Sequence, residues 1–210
     1  MLSADEHDLL VRRCRSLPPA VGNYLVHDYV TNLLLTVLDF QLHTTTVKRA
    51  HDHFQAHRSA EVKTFEQLKG LLAQFPDDPE GNTALAQHLW GYRYGKRIGF
   101  LRRLVEHFDS IGVTTQDRLA EWARTSDFDR DFKGRIPGLA YAVYKWLVMR
   151  QGVETIKPDV HVRRFVEMAL GRTVDDQTMV AALERVACEI GLKAYDLDWR
   201  IWESQRAARP

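Results

Sequence analysis

A sharp turn that leads into an apolar helix is the feature that most constrains how this chain folds. The turn is Ile136-Pro137-Gly138-Leu139-Ala140, and the helical run extends from about Tyr141 to Arg150. Pro137 fixes one backbone dihedral and Gly138 accepts a positive φ, so the chain can reverse direction just before the helix. The first amide N–H groups of a helix have no partner inside it, and they form a site suited to an anion such as phosphate.

A second helix start follows a short loop. Asp159 comes directly after Pro158 and precedes an apolar run that begins with Val160-His161-Val162. An aspartate in this place is a preferred N-cap, because its carboxylate accepts hydrogen bonds from the first amides of the helix.

Helical patterns extend over almost the whole chain, and the sequence predicts an all-α fold. Apolar residues recur at helical spacing, as in the run from His27 to Phe40, and no segment alternates in the manner of a strand. Ser3 and Glu6 form a capping box, Thr115 is placed to cap another helix, and Asn82 is the expected cap of a helix that reaches about Trp90.

Composition narrows the class of protein. The 210 residues are 45% hydrophobic, which suffices for a real core, and the formal net charge is only +1. Two cysteines offer neither a disulfide framework nor a zinc pattern, and the sequence lacks a signal peptide and a membrane span, so we expect an intracellular, cytoplasmic protein. Affinity for DNA would need a local patch, and residues 133–164 contain seven basic and two acidic residues.

Three segments together resemble the helix-hairpin-helix (HhH-GPD) DNA glycosylases, the superfamily that includes endonuclease III. Ile136–Ala140 is similar to the family's L-P-G-h-G hairpin, and the segment from Pro158 to Val162 is similar to its V-D-T-H-V-like segment with the catalytic aspartate. Upstream, Gln41–Ala50 resembles the Q-A-T-D-x-x-V-N-K-A segment. The matches occur in the family's order.

The resemblance implies two helical lobes with a cleft between them. One lobe would be the bundle of residues 29–141 that ends in the helix-hairpin-helix motif, and the other would combine residues 1–28 with 142–210. The four-cysteine iron–sulfur set of endonuclease III is missing, since the chain has only Cys14 and Cys188. We therefore expect no cofactor and no metal.

The resemblance also implies a function. We expect a monomeric glycosylase of base excision repair, whose partner is double-stranded DNA that contains a damaged or mispaired base. Asp159 would stabilise the positive charge that develops on the sugar, and Gln41 would fill the space left by the flipped base. The further residues expected to contact DNA are Gly138, Ala140, His161, Arg163 and Arg164.

Departures from the family pattern leave alternatives open. Ala140 replaces the second hairpin glycine, and Ala142 stands where bifunctional members have a nucleophilic lysine, so we expect monofunctional hydrolysis by water. Lys145 or Lys157 could act as a displaced nucleophile. The chain could also be a catalytically inactive relative that recognises distorted DNA, or an all-α scaffold for another partner.

Two candidate residues also have plain structural interpretations. Asp159 could act only as an N-cap, and Gln41 could be an ordinary surface glutamine at a helix end. His53 and His57 have the i, i+4 spacing of a metal pair, although no further ligand is evident in the sequence.

Overall fold

The computed structural model describes residues 2–20 and 28–207, and every regular element in these ranges is a helix. Within these ranges, a five-residue π-helix, Phe128–Phe132, accompanies eleven α-helices. These α-helices are α1 (Ala4–Arg15), α2 (Tyr29–Leu38), α3 (Thr44–His57), α4 (Phe65–Ala73), α5 (Pro79–Trp90), α6 (Lys96–Ser110), α7 (Gln116–Thr125), α8 (Tyr141–Arg150), α9 (Val160–Leu170), α10 (Asp176–Glu189) and α11 (Ala194–Ala207).

Local capping chemistry explains where several helices begin. Ser3 and Glu6 form the predicted capping box of α1, and the Thr115 side chain accepts a hydrogen bond from the amide of Arg118 at the start of α7. The predicted start of α5 at Asn82 is wrong. Asp78 caps that helix, because Pro79 is preorganised for the first turn, where its missing N–H costs nothing.

The chain divides into two compact units. The central unit comprises the described part of Val26–Val143, and the terminal unit comprises the described parts of Met1–Leu25 and Tyr144–Pro210. In the central unit α2 is buried along nearly its whole length and packs against α3, α4 and α6, while α5 packs against α3 and α6. This arrangement makes α2 and α6 the core of the unit.

In the terminal unit, helices from both ends of the chain share a core. Helix α1 packs against α9 and α10, and α9 and α10 both pack against α11. An ion pair joins Glu6 to Arg172, and the side chains of His7 and Glu189 are in hydrogen-bond contact, so both link α1 to the later helices. Cys14 lies in this core, and burial raises the pKa of its thiol to about 12.

The all-α prediction is confirmed for the described residues. The predicted functional lobes, 29–141 and 1–28 with 142–210, stay a prediction, as do the helix-hairpin-helix motif and the cleft. In the ranges that the structure describes, no helix combines the length and the apolar character needed to cross a membrane.

Candidate functional site

The turn before α8 has the geometry that its sequence predicts. The Leu139 N–H donates to the Ile136 carbonyl at 3.0 Å, and Gly138 has a φ of +89°. Pro137 at the second position and a glycine with positive φ at the third are features of a type II β-turn. Ile136 and Leu139 are buried, whereas Pro137, Gly138 and Ala140 are exposed. The buried side chains of Ile136 and Leu139 thus hold the exposed backbone of the turn in place.

Several backbone amides at this corner are available to a ligand. The Val143 N–H donates to the Ala140 carbonyl at 3.0 Å, but the N–H groups of Gly138, Ala140 and Ala142 donate to no described residue. Amides at the start of a helix favour anions, because they offer hydrogen-bond donors at the positive end of the helix dipole.

The ring of Phe100 on α6 supports the turn from below. A Cβ added at Gly138 would collide with this ring, so the turn has room only for glycine. The same ring packs at 5.4 Å from the ring of Phe40, the residue before Gln41. Phe100 therefore brings the turn and the Gln41 segment to one place in the central unit.

Arg97 fixes the backbone next to Gln41. Its guanidinium donates to the carbonyl of Val37 at 3.2 Å and to that of Phe40, and it lies 4.0 Å from the centroid of the Phe40 ring. Burial lowers the pKa of Arg97, whose exposed fraction is 7%. We call Phe40, Arg97, Phe100 and Gly138 the Phe100 cluster.

Gln41, the residue after Phe40 of this cluster, has an unusual backbone conformation. Its φ is +56°, the one positive value among the non-glycine residues that the structure describes, and its side chain is exposed. Residues other than glycine seldom adopt this left-handed conformation, which costs about 1–2 kcal/mol. The contacts of Arg97 and Phe40 hold the segment in a conformation that the sequence alone would not favour.

Asp159 belongs to the terminal unit and caps α9, as the sequence predicts. Its Oδ1 accepts from the N–H of His161 at 2.8 Å and from that of Val162 at 3.1 Å. No described residue donates to Oδ2, and the side chain is half-buried. The carboxylate is thus fixed through one oxygen and has the other available.

A buried carboxylate holds the segment before Asp159. The N–H of Lys157 donates to Oδ2 of Asp198 at 2.8 Å, and the carbonyl of Lys157 accepts from the N–H of Asp159, also at 2.8 Å. The Lys157 ammonium lies 4.2 Å from the centroid of the Trp146 ring. Sequence reasoning missed Asp198, although an acidic residue among the apolar positions of α11 is a signal that could have revealed it.

The other predicted residues near Asp159 have partners in the same unit. The His161 ring lies edge-on to the Trp202 ring, with centroids 6.1 Å apart. Arg163 pairs with Asp176 at 2.7 Å, and Arg164 is half-buried on α9. The Arg163 guanidinium is therefore already paired with a carboxylate.

Lys145 takes part in a polar cluster rather than standing as an isolated amine. Its ammonium lies 3.3 Å from Oε1 of Glu184, and the Thr155 hydroxyl donates to the same oxygen. An open cavity of about 340 Å³ adjoins Glu184. The residues around this cavity are Glu154, Glu184, Ala187, Cys188, Gly191, Leu192, Lys193 and Ala194. Asp159 is not among them.

The histidine pair considered for a metal lacks the other ligands it would need. The rings of His53 and His57 are 4.7 Å apart, but nowhere in residues 2–20 and 28–207 do three or more His, Cys, Asp or Glu side chains form a group that could hold a metal ion. The pair is an aromatic contact on α3.

The family described as Domain of unknown function (DUF8548) matches residues 96–206, which is more than half of the chain. The chain belongs to this family. The DUF8548 match begins at the first turn of α6 and includes the turn at Gly138, Asp159 and most of α11, but not Gln41. No curated protein and no solved structure matches the chain.

Proposed function

We propose that this protein is a monofunctional DNA glycosylase, which hydrolyses the N-glycosidic bond of a base flipped out of duplex DNA. The observation that carries the proposal is the Asp159 carboxylate. Two backbone amides fix its Oδ1 at the start of α9, and its Oδ2 accepts from no described residue. The positive end of the helix dipole favours a negative charge at this place.

Bond cleavage makes the sugar resemble an oxocarbenium ion, and a fixed carboxylate stabilises that charge electrostatically. In the proposed reaction, Oδ2 of Asp159 faces the sugar and orients the water that attacks it. Water supplies the hydroxyl that replaces the base, and the base leaves with a proton. Asp198 holds the backbone of Lys157, and through it the position of Asp159.

The central unit supplies the proposed contacts with the DNA backbone. The N–H groups of Gly138, Ala140 and Ala142, which donate to no described residue, would bind a phosphate, and Gln41 would enter the space that the flipped base leaves. The strained backbone at Gln41 supports this role, since left-handed non-glycine residues are concentrated at functional sites.

The environment of Lys145 supports water as the nucleophile. A lysine nucleophile must be free to reach the sugar, but the Lys145 ammonium is engaged by Glu184, whose Oε1 lies 3.3 Å away. Ala142 stands where the bifunctional helix-hairpin-helix glycosylases have a lysine, and its methyl group cannot form an imine.

Asp159→Asn tests the proposal, because asparagine caps helices as well as aspartate does but cannot stabilise a cationic sugar through charge. We expect base release from duplexes that contain uracil, oxidised guanine, alkylated adenine or mispaired adenine to fall by roughly a hundredfold or more, with DNA affinity retained. The matched control is Asp175→Asn, which changes the corresponding cap of α10 and should leave base release intact.

The product distinguishes the alternatives. Hydrolysis leaves an abasic site that breaks only after alkali, and borohydride should trap no protein–DNA adduct. An adduct that disappears in Lys145→Ala would show a bifunctional enzyme. DNA binding by the wild-type protein without release of any tested base would instead favour the catalytically inactive relative.

A further inference from the structure

Arg103 on α6 has a guanidinium with no acceptor in the described parts of the chain. Neither a hydrogen bond nor an ion pair joins it to any residue of 2–20 or 28–207, and its Nε is buried. Glu106, three residues along the same helix, forms no ion pair with it. A half-buried guanidinium without an acceptor loses hydration that no hydrogen bond within the described residues replaces, so its burial is costly in the free protein.

The position of Arg103 connects it to the turn. Its guanidinium carbon lies 5.1 Å from the centroid of the Phe100 ring, which is the ring that Gly138 contacts. Phe100 is almost fully buried, so its ring is a fixed surface on which the Arg103 guanidinium rests. Arg103 and Gly138 of the turn thus both lie against one aromatic ring.

Two further cations lie against the same ring without a carboxylate partner. The Lys96 ammonium is 5.9 Å and the Arg97 guanidinium 6.0 Å from the Phe100 centroid. Arg97 is occupied by two carbonyls, whereas the exposed Lys96 has no ion pair within the described ranges. Three cations around one ring concentrate positive charge there, which favours the binding of an anion.

We propose that Arg103, assisted by Lys96, binds a phosphodiester of the DNA backbone beside the Gly138 turn. The guanidinium suits this ligand, because its planar donors match two phosphate oxygens while the aromatic ring holds its plane. The inference rests on the proposed function for the identity of the polyanion. Arg103 lies outside the three segments that resemble the helix-hairpin-helix glycosylases.

The proposal predicts opposite effects of one substitution on stability and on binding. Arg103→Gln removes a half-buried charge that has no acceptor within the described residues. We expect the desolvation cost to outweigh the lost contact with the Phe100 ring, so the free protein should be as stable as the wild type or more stable in a thermal melt. Its affinity for an undamaged duplex should fall about tenfold, the effect of losing a charge-assisted hydrogen bond. The slope of log K against log salt should decrease by about 0.9 for each lost phosphate contact.

Arg124→Gln is the matched control, since it removes the same charge from an exposed position at the end of α7. Its helix packs through Trp122 on Phe108, two turns beyond Phe100 along α6, and we expect the wild-type salt slope. Arg103→Lys should keep the salt slope, because the charge remains. Its affinity for the duplex should fall in part, because lysine lacks the paired N–H donors of the guanidinium.

The outcomes separate this inference from the proposed function. If the wild type binds DNA and Arg103→Gln has the same affinity and slope as Arg124→Gln, the Arg103 site is wrong while the glycosylase proposal stands. If the wild type binds no duplex at low salt, both fail. Inorganic phosphate should displace DNA no better than chloride at equal ionic strength. A strong displacement specific to phosphate would assign the site to the free anion instead and overturn the DNA contact.

Discussion

At the scale of single residues, the backbone of Gln41 has consequences for both stability and function. Arg97 and Phe40 stabilise the segment that contains it, and the hydrogen bonds of Arg97 span 60 and 57 residues of sequence. A side chain with a positive φ at an exposed position contributes nothing to the core. The strain is therefore retained where the amide of Gln41 is proposed to contact DNA.

Substitution of Gln41 separates the strain from the amide. Gln41→Gly removes both, because glycine adopts the left-handed conformation without steric cost. We expect the free energy of unfolding to rise by about 0.5–1 kcal/mol in a urea titration, while base release falls.

Gln41→Ala is the comparison, since it removes the amide but keeps the strained backbone. Its base release should fall as in the glycine variant, without the gain in stability. Equal stability of the two variants would show that the left-handed backbone carries no measurable cost.

At the scale of secondary-structure elements, the turn before α8 depends on two separate properties of Gly138. One is its φ of +89°, which an L side chain seldom adopts, and the other is its contact with Phe100. Gly134 offers an internal comparison, because its φ is +73° and a Cβ there would meet nothing within 4 Å.

Alanine substitutions should reveal the two properties. Gly134→Ala should cost about 1 kcal/mol from backbone strain alone, whereas Gly138→Ala should cost at least about 2 kcal/mol because the collision adds to the strain. Introducing Phe100→Leu should reduce the cost of Gly138→Ala toward that of Gly134→Ala.

Urea titrations of the single and double variants measure this coupling. Strictly additive effects at positions 100 and 138 would mean that the ring does not support the turn.

The sequence predicts these elements well where the determinants are local. The turn, the helix from Tyr141 to Arg150 and the cap at Asp159 all depend on neighbouring residues, and the structure has them as expected. The start of α5 differs from the prediction, because Asp78, four residues before Asn82, caps the helix and Pro79 occupies its first turn. Asp198 was missed because its partner lies 41 residues away.

The Phe100 cluster and Arg103 follow the same rule. On α6, Arg97 donates to backbone carbonyls whereas Arg103 has no acceptor among the described residues. This difference depends on packing between helices that are distant in sequence. The periodicity of α6 shows its apolar side but not these contacts.

At the scale of the whole molecule, two histidines make stability depend on pH. The pKa of His107 is lowered, chiefly by burial and also by Arg135, and that of His88 is lowered by burial and by Arg58. Both imidazoles therefore bind a proton less readily in the folded chain than in the unfolded chain.

The sign of the effect follows from this difference. Between the lowered pKa values and the ordinary value of about 6.5, the unfolded chain binds more protons, so the free energy of unfolding falls as pH decreases. Glu6 does not interfere in this range, because its pair with Arg172 lowers its pKa to about 2 and its contribution is lost only at lower pH.

His107→Gln should reduce this dependence, since the variant has one fewer group that gains a proton on unfolding. Thermal melts of both proteins, from neutral pH to about one unit below 6.5, measure the difference. Identical pH slopes would show that His107 titrates alike in the folded and unfolded chains.

The attachment of α1 to the later helices affects the order in which the chain can fold during its synthesis. The ion pair of Glu6 cannot form until Arg172 has been synthesised, 166 residues later. At about 5–20 residues per second, α1 spends roughly ten to thirty seconds outside the ribosome without its partners. The central unit is contiguous and can fold first. Helix α1 is thus made before the central unit but buried after it, and its apolar side, with Leu10, Val11 and Cys14, is open to chaperones until then.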